Sequence, residues 1–135
     1  MTELPTPEPE PTLETEPFWE AAAEGRLLLP RCDGCGVVIW YPRRFCPECH
    51  QRSISWFEAS GRGTIYSFTV VRQAPPPWRE AVPYVIAQVE LDEGPRVLTN
   101  IVGCETSEVA IGREVEVVFD RSAGGRAVPR FRLRS

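Results

Sequence analysis

Four cysteines fall in two pairs of identical spacing, Cys32 and Cys35 in RCDGCG (31–36) and Cys46 and Cys49 in FCPECH (45–50). A Cys-x-x-Cys turn points two thiolates at one ion, and two such turns complete a tetrahedral four-sulfur site. Gly34 and Gly36 leave room at the first turn, and Pro47 shapes the second. A segment of this size lies below the ~40 residues that usually fold without a metal or disulfides. Structural zinc supplies about 10–16 kcal/mol in small modules. The spacing alone admits zinc or rubredoxin-type iron, and closed sulfur sites in a reducing compartment favour zinc. With every coordination position taken by protein, such a metal is structural. A redox dithiol would need one pair in a βαβ context, which the chain lacks.

Little else in the sequence is equipped for catalysis. All 15 basic residues are arginines, which removes lysine Schiff bases and P-loop chemistry. His50, the one histidine, abuts Cys49; it reads as a general base or, more plainly, as a residue beside the metal. Cys104 reads as a nucleophile or as a small buried hydrophobe, and it has no evident base. Arg130, Arg132 and Arg134 alternate near the C-terminus, as a phosphate site for coenzyme A or nucleic acid, or as the solvated face of an edge strand. Phe18, Trp19 and, in the proline loop APPPWRE (74–80), Trp78 are candidate partner-interface anchors, with packing against the protein's own core as the alternative.

The elements that must position these residues are mainly β. Residues 1–17 are proline- and glutamate-rich and read as a solvated tail or linker, which leaves room for a domain upstream. FWEAAAEGRLLL (18–29) reads as a short amphipathic helix, with Pro17 suited to its start and Gly25 to its stop. Residues 30–58 form the metal ribbon. Within 59–135, five β-branched segments (63–71, 82–91, 95–103, 114–120 and 127–134) predict a five-stranded OB-like barrel. No apolar run is long enough to span a bilayer, and the acidic N-terminus is unlike a signal peptide; both point to the cytoplasm.

The order of features carries a resemblance. A short helix, the knuckles RCDGCG and FCPEC, a G-x-G-x-I-x-S-x-T-V-V strand (61–71), PYVIAQVEL-x-EG (83–94) and IGREVEVVF (111–119) closely resemble an acyl-CoA-associated family. That family, domain of unknown function thirty-five, joins a rubredoxin-like zinc ribbon to an OB-fold. The resemblance implies a non-catalytic accessory subunit or fused domain that accompanies thiolase-superfamily enzymes, thiolases and steroid side-chain aldolases among them, in some cases within a MaoC-like hydratase polypeptide. It implies Cys32, Cys35, Cys46 and Cys49 as zinc ligands. The competing class is a single-stranded nucleic-acid binder using Tyr66, Phe68 and Tyr84 as stacking residues. A net charge of −4 and a pI near 5.1 argue against it.

Overall fold

The computed structural model describes residues 4–134. Helix α1 (Glu16–Ala23) is followed by β1 (Leu28–Cys32), the cysteine loops and β2 (Ile54–Glu58). Then come β3 (Arg62–Val71), β4 (Tyr84–Leu91), β5 (Arg96–Val102), β6 (Glu114–Arg121) and β7 (Ala127–Leu133). The last five close a barrel in the order β3-β4-β5-β7-β6, with β6 returning to β3 and β5 meeting β7 in parallel.

The barrel follows from alternation. Val85, Ala87, Val89 and Leu91 of β4 point inward and are buried, as are Ile65, Ile101, Val115 and Phe131 from the other strands. A bulge between Ile65 and Ser67 lets the long strand β3 serve both β4 and β6.

α1 is shorter than the 18–29 expected from its helix formers. Pro17 does sit in its first turn, and the chain leaves the helix through Gly25 at φ 79°. The leucines beyond it pair instead as β1, with Leu28 opposite Glu58 and Leu29 opposite Phe57. Burial explains the switch: Leu29 is wholly enclosed and shares one cluster with Phe18, Leu27 and the barrel interior. Helix, ribbon base and barrel thus form one core, and burying Phe18 there is worth about 2–3 kcal/mol.

The segment expected to be a solvated tail is packed from Leu4 onward; its first three residues lie outside the described residues. Leu4 is buried with Ala81 and Tyr84 beside the proline loop. The Pro5 carbonyl and Thr6 hydroxyl accept from Arg130, Glu8 accepts from the Gly124 backbone N–H (2.9 Å), and Glu14 accepts from that of Arg44 (2.8 Å). Prolines hold the segment extended without internal hydrogen bonds, so its free carbonyls and carboxylates are available to the barrel.

Candidate metal centre and surrounding surfaces

The ribbon is a β1–β2 hairpin whose long connection is folded back on itself twice. β1 carries Cys32, and the bridge from Arg31 to Val38 returns the first knuckle beneath the strand. The connection is tied to the hairpin by Asp33, whose N–H donates to the Ser53 carbonyl (2.8 Å) and whose carboxylate accepts from the Ser55 hydroxyl (2.7 Å). Ile39 is buried against Cys32 and Cys46, and Val37 and Ile54 pack around them.

The two knuckles repeat one geometry. In the first, the Gly36 N–H donates to the Cys32 carbonyl and the Cys32 N–H to the Val37 carbonyl; in the second, His50 donates to Cys46 and Cys46 to Gln51. Backbone N–H groups also face the sulfurs, Cys35 on Cys32 Sγ at 3.5 Å and Glu48 on Cys46 Sγ at 3.4 Å. The residue after each second cysteine is left-handed, Gly36 at φ 80° and His50 at φ 65°. His50 therefore holds a backbone position that glycine holds in the twin knuckle, and it is the only described non-glycine residue with positive φ. A Cβ at Gly34 would stand 2.0 Å from Gln51 Oε1, so any side chain there would have to displace the flexible end of Gln51.

The four sulfurs fit one metal. Zn–S bonds of ≈ 2.3 Å in a tetrahedron put sulfurs about 3.8 Å apart. Cys32 to Cys49 and Cys35 to Cys46 are each 3.5 Å, and all four lie within 4.8 Å of one another. The Cys35 N–H, chiefly, lowers the Cys32 thiol to about 7. Cys49 shows the opposing cost. The Gln51 N–H pulls its thiol down, but burial and the crowding of Cys32, Cys35 and Cys46 override that and push it up to about 12. Four thiolates this close need a cation among them, and a four-sulfur set leaves no position open for substrate.

The remaining candidate residues are dispersed. Cys104 is half-buried, and burial with Glu108 nearby raises its thiol above the ordinary range, which removes the case for a nucleophile. Arg130 and Arg132 of β7 and Arg134 just beyond it do alternate along the chain, but all three are engaged. Arg130 is buried and pairs with Asp120 (2.7 Å), and Arg132 pairs with Glu116 (2.7 Å). Arg134 lies 3.9 Å from both Glu114 and Glu116. None faces solvent with its charge uncommitted, so their expected role as a coenzyme A phosphate site gains no support.

Phe18, expected as a partner anchor, is only 2% exposed; its ring is enclosed edge-on by Trp19, Trp40 and Tyr41, so it packs the protein's own core. Trp19 is half-buried at a cleft of about 170 Å³ between α1, the ribbon, β5 and β7. Trp78 is half-buried against Tyr84, ring centroids 5.0 Å apart. The stacking trio of the nucleic-acid reading does not assemble either: Tyr84 is buried, Phe68 packs on the core and Arg96 covers the Tyr66 ring at 3.6 Å. Among the described residues no helix is long and apolar enough to cross a membrane.

Comparison with known proteins agrees with this architecture. Residues 19–55 match the model of the ChsH2 rubredoxin-like zinc ribbon domain, and residues 56–120 that of the ChsH2 C-terminal OB-fold domain. A DUF35 domain-containing scaffold protein of Methanocaldococcus jannaschii is 41% identical over 96 residues, 70% of this chain and 68% of that protein. A probable enoyl-CoA hydratase alpha subunit of Thermomonospora curvata is 38% identical over 85% of this chain, but the match spans only 36% of that longer protein. Among solved structures, a chain of the Ltp2-ChsH2(DUF35) aldolase superposes with a TM-score of 0.84 at 34% identity, covering 93% of this chain and 98% of that one.

Proposed function

Because this chain belongs to the DUF35 family of zinc-ribbon and OB-fold proteins, we propose that it is a non-catalytic accessory subunit or domain that binds and organises a thiolase-superfamily enzyme, a thiolase or aldolase, in acyl-CoA metabolism. The observation that carries this reading is the match to ChsH2 of the Ltp2-ChsH2(DUF35) aldolase along almost the whole of both chains. The scaffold names of the archaeal relatives point the same way. The chain's own chemistry is consistent with it, since its strongest constellation is a closed metal site that binds no substrate. Zinc is the ion we assign to Cys32, Cys35, Cys46 and Cys49, in a purely structural role, and the cytoplasm is the compartment in which it would be held by reduced thiols.

The acyl-CoA context rests on the hydratase-subunit relatives, one of them a 3-oxo-4,17-pregnadiene-20-carboxyl-CoA hydratase alpha subunit, which makes steroid side-chain degradation the substrate setting we favour. Such a domain would serve equally as a separate subunit or within a longer hydratase polypeptide. The test is co-expression with the thiolase-like proteins of the same organism. A stoichiometric complex whose aldolase or thiolase activity falls when this chain is omitted is the expected result. If no such enzyme co-elutes and activity is unchanged without the chain, the reading is wrong.

A further inference from the structure

Charge and apolar exposure concentrate together at one place. Six large apolar side chains are exposed among the described residues, and three of them, Leu13, Tyr41 and Phe45, border two adjoining grooves between the N-terminal segment and the ribbon. The groove that Leu13 borders, a space of about 420 Å³, is floored by Ile54 and Trp56 of β2. Three arginines, Arg43, Arg44 and Arg52, rim it.

These three differ from most of the other arginines. Arg26, Arg96, Arg126, Arg130, Arg132 and Arg134 are paired with carboxylates. Arg31 lies on the Phe57 ring, and Arg113 and Arg121 donate to backbone carbonyls. The guanidiniums of Arg43, Arg44 and Arg52 make no ion pair or hydrogen bond with any described residue. The groove holds one carboxylate, Glu14, already engaged by the Arg44 backbone N–H. The rim therefore presents a net positive charge around an apolar floor in a chain that is acidic overall. Arginine and tryptophan beside exposed aliphatic and aromatic side chains is the composition of a protein-binding surface.

We propose that this ribbon face, Arg43, Arg44 and Arg52 around Leu13, Ile54 and Trp56, docks an acidic segment of the thiolase-like partner, with an apolar side chain of that segment seated between the arginines. The proposal rests on the scaffold reading above and adds to it the face that docks. Carboxylates of the partner would take the guanidiniums as charge-assisted pairs, which steer encounter and fix register, while the apolar side chain displaces water from Trp56.

The experiment uses the full chain and the thiolase-like enzyme identified by co-purification, with the dissociation constant measured at about 50 and 400 mM salt. Arg43→Glu/Arg44→Glu/Arg52→Glu is expected to weaken binding by about 100-fold at low salt and to flatten its salt dependence, and Leu13→Ala by about tenfold. Arg72→Glu/Arg79→Glu, in the segment that joins β3 to β4, should stay within about threefold. Retention of one metal equivalent shows that the ribbon is folded, and Arg43→Gln/Arg44→Gln/Arg52→Gln repeats the test without new negative charge.

Wild-type affinity in the metal-loaded triple variants overturns the proposal. So does loss of self-association, or of pyrophosphate binding by the isolated chain, with partner affinity untouched: the groove would then serve a second copy or a phosphorylated ligand. If the wild-type chain binds no thiolase-like enzyme, the scaffold reading falls first, an outcome distinct from a variant that alone keeps full affinity.

Discussion

Removing Asp120 should harm this protein more than removing Arg130, although the two are partners. The Arg130 side chain is 3% exposed and that of Asp120 is 39% exposed. Arg130 Nη1 meets Asp120 Oδ2 at 2.7 Å and Thr6 Oγ1 at 3.1 Å, its Nη2 reaches the Pro5 carbonyl, and its Nε is enclosed with no partner. In Asp120→Ala the guanidinium stays where it is, desolvated, with neutral partners only. Stranding a fully buried charge costs about 3–5 kcal/mol, and screening at the half-exposed carboxylate brings this to about 2–3. In Arg130→Met the stem is replaced by apolar volume and Asp120 is left facing water, so the loss is mainly hydrogen bonds to the N-terminal segment, about 1 kcal/mol. At roughly 3–5 °C per kcal/mol for a chain of this size, the melting point should drop by about 10 °C in Asp120→Ala and about 4 °C in Arg130→Met. Asp120→Ala/Arg130→Met should resemble Arg130→Met. Urea and thermal unfolding of the metal-loaded proteins at neutral pH measure all three. If Arg130→Met is the more damaging single change, or the double variant is the sum of both, the charge at position 130 is not stranded by its surroundings and the reasoning fails.

Other outcomes follow from the ribbon and the N-terminal segment. Cys46→Ser should release about one equivalent of metal and unfold the ribbon, read by metal analysis and by loss of amide protection in β1 and β2. His50→Gly should retain metal and full stability, whereas His50→Val should lose about 1–2 kcal/mol by forcing a β-branched residue into left-handed backbone; chelator-release rates report both. Glu8 is held below its ordinary range by the Ser122 hydroxyl first, then by the Gly124 N–H and the Arg126 charge. Its contribution is present above the ordinary glutamate range and is lost as pH falls through the lower folded value. Protease cleavage within residues 4–14 should therefore accelerate as the pH falls below the ordinary glutamate range, before the barrel unfolds.

The readable parts of this chain were those in which short-range pattern and burial agree. Alternation in VPYVIAQVEL predicts β4 because the inward residues of a barrel strand face one interior along its whole length. The cysteine pairs are legible because a Cys-x-x-Cys turn is a local device. Helix propensity in FWEAAAEGRLLL overran the true end at Ala23, since nothing local reveals that the leucines have β2 to pair with, some thirty residues on. Two partners of Arg130, Pro5 and Thr6, lie about 125 positions away, and composition made residues 4–14 look solvated when prolines and glutamates were in fact meeting the barrel's arginines and N–H groups. His50 looked like chemistry because its side chain was weighed and its backbone could not be; the clue available was its place after Cys49, equivalent to Gly36 after Cys35.

The metal centre is also lopsided with respect to its environment. Cys32 and Cys46, the first member of each pair, are sealed within the ribbon, while Cys49 is half-open and Cys35 is exposed. Oxidants and competing chelators reach thiolates in order of exposure. Damage would thus begin along one edge and take one sulfur from each knuckle before touching the other two. The first products of thiol oxidation are reversible, so a centre attacked in that order can be rebuilt by reductant and fresh metal for as long as Cys32 and Cys46 are untouched.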